Sequence, residues 1–188
     1  KQPDALDFLT SDMFGPVICE VSREQLEGDG SVLPVTVRLV PTRHRADWYR
    51  DGEPAERDFT RLVAGMVDDE ARNELLRGVV LELVSAGQVP AFVFTHRREH
   101  AERLADAELP ALGVPTGLML GGDGATRFAE ALDMLERGTA KVAVGTFNAL
   151  GRGIDLPMVR AGVIATPIGQ NRQFFNQVCG RICRPTPG

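Results

Sequence analysis

A chain of 188 residues has room for one substantial core plus an appendage, and 43% apolar with 25% charged residues are the proportions of a folded globular protein. No apolar run is long enough to span a bilayer and no leader pattern opens the chain, which excludes a membrane-spanning helix and points to a cytoplasmic protein. The net charge of −5 argues against nucleic-acid binding by the surface as a whole.

The charge is unevenly spread. Residues 141–188 carry six Lys/Arg against one acid, Asp155, whereas residues 1–140 carry 15 basic and 25 acidic residues. A phosphate-rich partner would meet a basic end on an acidic body. The three cysteines, Cys19, Cys179 and Cys183, are an odd number without metal-ligand spacing and are expected to be reduced. The chain starts at Lys1 rather than Met, so it is expected to be a piece of a longer protein.

In chain order, Val17–Val21 reads as a strand. Ser22 reads as the N-cap of a short helix, Arg23–Glu27, stopped by Gly28-Asp29-Gly30. Val35–Val40 is rich in β-branched residues between Pro34 and Pro41 and is read as a strand. Arg43–Arg57 is charged, holds Trp48, Tyr49, Gly52 and Pro54, and reads as an exposed loop or insertion. Phe59–Val67 and Glu70–Ala86 follow as helices, with Met66-Val67-Asp68 read as a helix start. From Val89 the pattern becomes strand–helix. Val89–Phe94 is a strand, Arg98–Ala107 a helix, Thr116–Leu120 a strand ending in Gly121-Gly122-Asp123-Gly124, and Arg127–Arg137 a helix stopped by Gly138. Two more apolar runs, Val142–Val144 and Val163–Ala165, end in Gly145-Thr146 and Thr166-Pro167. Short apolar runs alternating with helices imply a buried parallel sheet, and ligands of such sheets bind at the C-terminal ends of the strands. His96 and His100 stand four residues apart without a third ligand, and read as surface histidines rather than a metal pair.

The last stretch carries the most chemistry. A Gly-rich turn, Gly151-Arg152-Gly153, leads into Ile154-Asp155-Leu156-Pro157. A polar helix then presents Gln177-x-x-Gly180-Arg181-x-x-Arg184. Arginines three apart on a helix project to the same side and can converge on one anion.

The spacing of Gln177, Gly180, Arg181 and Arg184 resembles motif VI of superfamily 2 helicases, and Thr146 with Gly153-Ile154-Asp155-Leu156-Pro157 resembles their motif V. Thr95-His96-Arg97 after an apolar strand resembles motif IV. The passage Phe14–Thr42 is similar to the segment joining the two RecA-like domains of phage and repair helicases. The resemblance spans roughly Phe14–Pro185 and implies an α/β, RecA-like (P-loop NTPase-like) parallel sheet with helices on both faces, preceded by a linker. Residues 1–33 would be the tail of a preceding RecA-like domain and the interdomain linker. Residues 34–188 would be the C-terminal RecA-like helicase domain, with a charged insertion at about 43–57.

The resemblance implies roles as well. Arg181 and Arg184 would complete an ATP site across a domain cleft as catalytic arginines. Gly153, Asp155 and Gln177 would meet the nucleotide, though the longer spacing from Thr146 to Asp155 leaves the parts of Gly151 and Gly153 open. Thr95, Arg97, Gly121 and Thr146 would hold a nucleic-acid backbone. Gln177, where DEAD-box proteins carry His, favours DNA over RNA. No phosphate-cradling G-x-x-x-x-G-K-[ST] occurs in the sequence. Asp69-Glu70 lacks the apolar strand that the acidic magnesium motif requires, and reads instead as carboxylates at a helix N-terminus. ATP and Mg2+ would therefore be held mainly by an N-terminal RecA-like domain, and the present chain alone is expected to be inactive. Two other readings are a non-catalytic α/β nucleotide- or protein-binding module and a doubly wound metabolic enzyme. The second would call for a carboxylate-rich metal site or a G-x-G-x-x-G after the first strand, and the sequence holds neither.

Overall fold

The computed structural model describes residues 21–46, 55–122, 125–150, 158–168, 175–176 and 178–180. The chain divides into two compact units, Lys1–Pro34 and Val35–Gly188. Of the first unit, the described part is one six-residue helix and its flanks. Helix α1, Arg23–Gly28, begins with a capping box: Ser22 Oγ accepts the Gln25 amide at 3.2 Å, and Gln25 Oε1 accepts the Ser22 amide at 2.8 Å. Of the strand expected at Val17–Val21, Val17–Glu20 lie outside the described residues and Val21 belongs to no strand.

The second unit opens with an extended segment that is not the strand its composition suggested. Val35–Val40 pairs with no other strand, and Val37 and Leu39 are 58% and 88% exposed. β-Branched residues favour a strand only when neighbours pack against them, and here the prolines on either side cannot donate to a ladder. Arg38 ties the segment down instead, forking onto Glu82 at 2.5 and 3.0 Å.

Helix α2, Ala55–Asp68, turns its Val63 and Val67 inward. Met66-Val67-Asp68 therefore ends a helix rather than starting one, because Asp69 leaves helical geometry and caps the next helix, α3 (Glu70–Ser85). Asp69 Oδ1 accepts the Arg72 amide at 3.0 Å, and its Oδ2 lies 2.7 Å from His44 Nδ1. The His44 bond, then the Arg72 amide, hold the Asp69 carboxyl below its usual range. Asn73, Leu76 and Val80 form the buried stripe of α3 at helical spacing.

Four parallel strands follow: β1 (Ala91–Thr95), β2 (Thr116–Met119), β3 (Val142–Thr146) and β4 (Ala161–Ile164). Their order across the sheet is β2-β3-β1-β4, all in parallel register. Helix α4 (Arg98–Arg103) runs through a π-helical stretch, Leu104–Glu108, into the short α5 (Leu109–Ala111), just where Pro110 has no N–H to offer. Helix α6 (Ala125–Glu136) and the short α7 (Phe147–Leu150) follow β2 and β3, and residues 175–176 and 178–180 are helical.

Strand alternation divides the core between the two faces. Val93, Leu118, Val142 and Val144 pack with Leu76 and Val80 of α3 and with Ala101, Leu104 and Leu109. Phe92, Phe94, Met119 and Ala143 pack on the other face with Ala131, Leu135, Phe147, Leu150 and Val178. Each fully buried Phe, Leu or Val side chain contributes about 1.5–3 kcal/mol. Two glycines permit close approach. A Cβ at Gly117 would come within 2.7 Å of Ala131 Cβ on α6, and one at Gly145 would strike the Met119 carbonyl oxygen and lie 2.9 Å from Leu150 Cγ. The fold is thus a parallel sheet with helices on both faces.

Candidate nucleic-acid interface

The parallel register lines up the strand ends. Thr95 is the partner of Thr146 across β1 and β3, and Met119, two residues before Gly121, is the partner of Gly145. Across one edge of the sheet the chain therefore presents Gly121, then Thr146, then Thr95–Arg97, then Thr166 beyond the end of β4. Side chains far apart in sequence meet there because every strand runs in the same direction.

Each position has a distinct environment. Gly121 and Gly122 are exposed, a Cβ at Gly121 would meet open space, and Gly122 takes φ +69°. Thr146 is half-buried, and its Oγ1 accepts the Ala149 amide at 3.4 Å, a weak cap for α7. Thr95 is fully buried, with its Oγ1 2.9 Å from His100 Nδ1, so the groups that reach outward at this strand end are His96 and Arg97. Arg97 is half-buried and donates from Nη2 to the Thr60 carbonyl at 3.2 Å.

Beneath the edge runs a polar chain that the sequence did not announce. His100 was expected at the surface, yet it is completely buried on α4. Its Nδ1 faces Thr95 Oγ1, and its Nε2 lies 3.2 Å from Asn73 Oδ1. Asn73 Nδ2 in turn donates to the Val67 carbonyl at 2.8 Å. Since Asn73 Oδ1 can only accept, Nε2 carries the proton and Nδ1 accepts from the Thr95 hydroxyl. Burial, and after it Arg103 and Arg72, push the His100 imidazole down to about 4, so it is neutral at pH 7. The signal that could have placed it was its spacing: His100, Ala101 and Leu104 share one helix face, and the latter two are apolar.

A second arrangement surrounds His96. Its ring lies 4.5 Å from the Phe147 ring and 5.4 Å, edge-on, from that of Phe59. Its backbone N–H donates to Thr166 Oγ1 at 3.0 Å, and its Nδ1 lies 2.9 Å from the same oxygen. Desolvation, then the Arg97 charge, hold this imidazole below its usual range. Arg72 braces the same corner by donating to the Ala165 carbonyl. Its own burial, the larger effect, draws its guanidinium below the usual range against the favourable charge of Asp69.

Four of the nine site residues expected from sequence thus share the sheet edge: Thr95, Arg97, Gly121 and Thr146. The other five, Gly153, Asp155, Gln177, Arg181 and Arg184, lie outside the described residues, although residues 175–176 and 178–180 beside Gln177 are helical. Cys179 is buried and in no disulfide, while Cys19 and Cys183 are outside the described residues. Among the described residues, no three His, Cys, Asp or Glu side chains gather as metal ligands, and no helix is long and apolar enough to cross a membrane.

No family model matches the chain, and no curated protein does. Solved structures do. The C-terminal part of the Fun30 ATPase domain superposes with a TM-score of 0.54 at 16% identity, over 65% of this chain and 40% of that one. The Hef helicase domain of Pyrococcus furiosus gives 0.48 at 28% identity, over 63% and 24%. Dbp5 of S. cerevisiae bound to RNA and ADP BeF3 gives 0.46 at 22% identity, over 63% and 29%. The chain thus spans well under two thirds of the length of each. The Fun30 likeness and the parallel order β2-β3-β1-β4 agree on one architecture: the chain has a RecA-like fold, a parallel sheet with helices on both faces.

Proposed function

We propose that the chain is the C-terminal lobe of an ATP-dependent superfamily 2 helicase or translocase, and that the C-terminal edge of its sheet grips a single nucleic-acid strand by its backbone. The observation that supports this most strongly is the convergence of Thr95–Arg97, Gly121 and Thr146 on that one edge. Gly121 offers open backbone, Arg97 a positive charge, and Thr146 a hydroxyl half open to solvent. Thr95 holds the turn from behind. Contacts to sugar and phosphate carry no sequence information, which suits a protein that moves along a strand.

In this reading Arg181 and Arg184 face an ATP held, with its Mg2+, by an N-terminal RecA-like lobe. Gly153, Asp155 and Gln177 would meet the nucleotide. A bound ATP–Mg2+ would supply the phosphoryl group, and Arg181 and Arg184 would stabilise negative charge on its oxygens. DNA is favoured over RNA on account of Gln177.

The test is a titration of labelled single-stranded DNA and RNA of equal length with this chain at several salt concentrations. Binding should be weak, indifferent to sequence and strongly salt-dependent, and Arg97→Met should reduce the log–log salt slope by about 0.7, the share of one phosphate contact on a single strand. Sequence-specific or salt-independent binding, or none at low salt, would contradict the interface.

A further inference from the structure

We propose that Phe59 is a nucleobase-stacking residue: one unpaired base of a strand lying along the sheet edge rests against the Phe59 ring. The inference rests on the interface proposed above and adds to it a contact with a base, which a grip on the backbone alone does not make.

Phe59 differs from the phenylalanines of the sheet and its flanking helices. Phe92, Phe94 and Phe147 are buried in the core, and Phe128 packs against it. Phe59 belongs to neither core layer and is half-buried. It shares one face of α2 with Val63 and Val67, four and eight residues on. Those two are buried, whereas Phe59 lies a turn further toward the helix N-terminus. Two long-range contacts set its place. Arg97 Nη2 donates to the carbonyl of the next residue, Thr60, at 3.2 Å, which brings this turn of α2 to the end of β1. The Phe59 ring also meets that of His96 at 5.4 Å, and His96 is itself braced by Phe147 at 4.5 Å and by Thr166.

The planes of Phe59 and His96 stand 81° apart. In such a pair the edge of one ring meets the face of the other. His96 therefore covers at most one face of Phe59. Every base has a π-face, so stacking on a phenyl ring is indifferent to sequence, as a protein moving along a strand requires. The Arg97 charge beside the ring attracts the phosphates of the same strand. In a duplex the bases are stacked on one another, so this contact selects an unpaired strand. Because the ring is uncharged, it releases no counterion and leaves the salt slope untouched.

The test titrates this chain with a single-stranded oligonucleotide and with an abasic strand of equal length and charge. The parent chain should bind the ordinary strand about 5-fold or more tightly, the share of one stacked base. Phe59→Leu keeps an apolar side chain but removes the π-face. It should lose about that factor on the ordinary strand and nothing on the abasic one, with an unchanged salt slope. Phe59→Trp offers a larger face and should bind the ordinary strand at least as tightly as the parent. Its emission, read against the parent chain with Trp48 alone, should be quenched by the ordinary strand only. Full affinity in Phe59→Leu for the ordinary strand overturns the stacking. So does a loss as large on the abasic strand, which is what a merely structural role would give. If Phe59→Leu fails to melt cooperatively, the parent comparison and Phe59→Trp decide. A chain that binds neither strand at low salt removes the interface and Phe59 with it, whereas equal binding of both strands by the parent removes only the base contact.

Discussion

His100 Nε2 points at Asn73 Oδ1 across 3.2 Å, joining the helix behind β1 to the start of α3 inside the core. With Thr95 on one side and the Val67 carbonyl on the other, this imidazole has both nitrogens engaged and no room to change tautomer. The geometry favours the neutral ring, and Arg103 and Arg72 further oppose a positive charge there.

Acid should therefore destabilise the fold through this residue. In the unfolded chain His100 binds a proton near its ordinary 6.5, whereas in the fold it does so only near 4. The sign follows: between those values the unfolded state holds more protons, so stability is complete above about 6.5, declines as pH falls, and levels off for this residue below about 4. The loss over that window is roughly 3 kcal/mol. Urea unfolding at pH 7, 5.5 and 4, compared with His100→Gln, which keeps a donor to Asn73 but does not titrate, should show the parent chain losing about that much more. Parallel losses in the two proteins would show that His100 is not buried neutral.

Two glycines, Gly145 within β3 and Gly121 just beyond the end of β2, should behave oppositely. Gly145→Ala drives a methyl group into the Met119 carbonyl and Leu150, in the middle of the sheet, and should cost about 1–3 kcal/mol or more in denaturant unfolding. Gly121→Ala adds its methyl to open space and should leave stability within about 0.5 kcal/mol while weakening single-strand binding, where the strand backbone comes close. Equal stability loss in both, or full binding by Gly121→Ala, would contradict the distinction between a packing glycine and a contact glycine.

Much of the fold was legible because the apolar runs were short, regularly spaced and bounded by Gly, Thr or Pro. Such runs have few solutions other than buried parallel strands, and all four strands from Ala91 onward lie within the expected runs or a residue or two of them. The Asp69 cap was legible for a similar reason, since a carboxylate before a helical stripe has a local job. Val35–Val40 misled because strand preference depends on partners, and a sequence does not say whether one is present. His100 misled because a polar residue in a core is settled by distant groups: Asn73 lies 27 positions back, and only the folded chain brings its oxygen to the ring. His96 is exposed, as read from the sequence, and only its link to Thr166, 70 residues further on, was hidden. Local signals read helices, strands and caps, whereas long-range polar pairing is visible only in three dimensions.

The chain by itself should not turn over ATP. Its sequence has no phosphate-cradling loop, and the proposed reading assigns the triphosphate to another lobe. Phosphate release measured with and without single-stranded DNA should stay at background. Turnover that persists through further purification and disappears when this chain is mutated would contradict the assignment of the phosphate site to another lobe.

The central claim, that this lobe completes an ATP motor, is tested most directly by Arg184→Ala in the natural protein that contains this segment. An arginine that meets the γ-phosphoryl oxygens acts most strongly in the transition state, where such a residue is worth about 10³–10⁵ in rate. Allowing for partial cover by Arg181, nucleic-acid-stimulated ATP turnover should fall by at least roughly a hundredfold, with nucleotide affinity changed far less. Arg184→Lys should not recover it fully, because an ammonium lacks the planar fork. Thermal melts on the same preparations should coincide with that of the parent protein. Near-normal turnover in Arg184→Ala, or turnover lost only together with folding, would contradict the account.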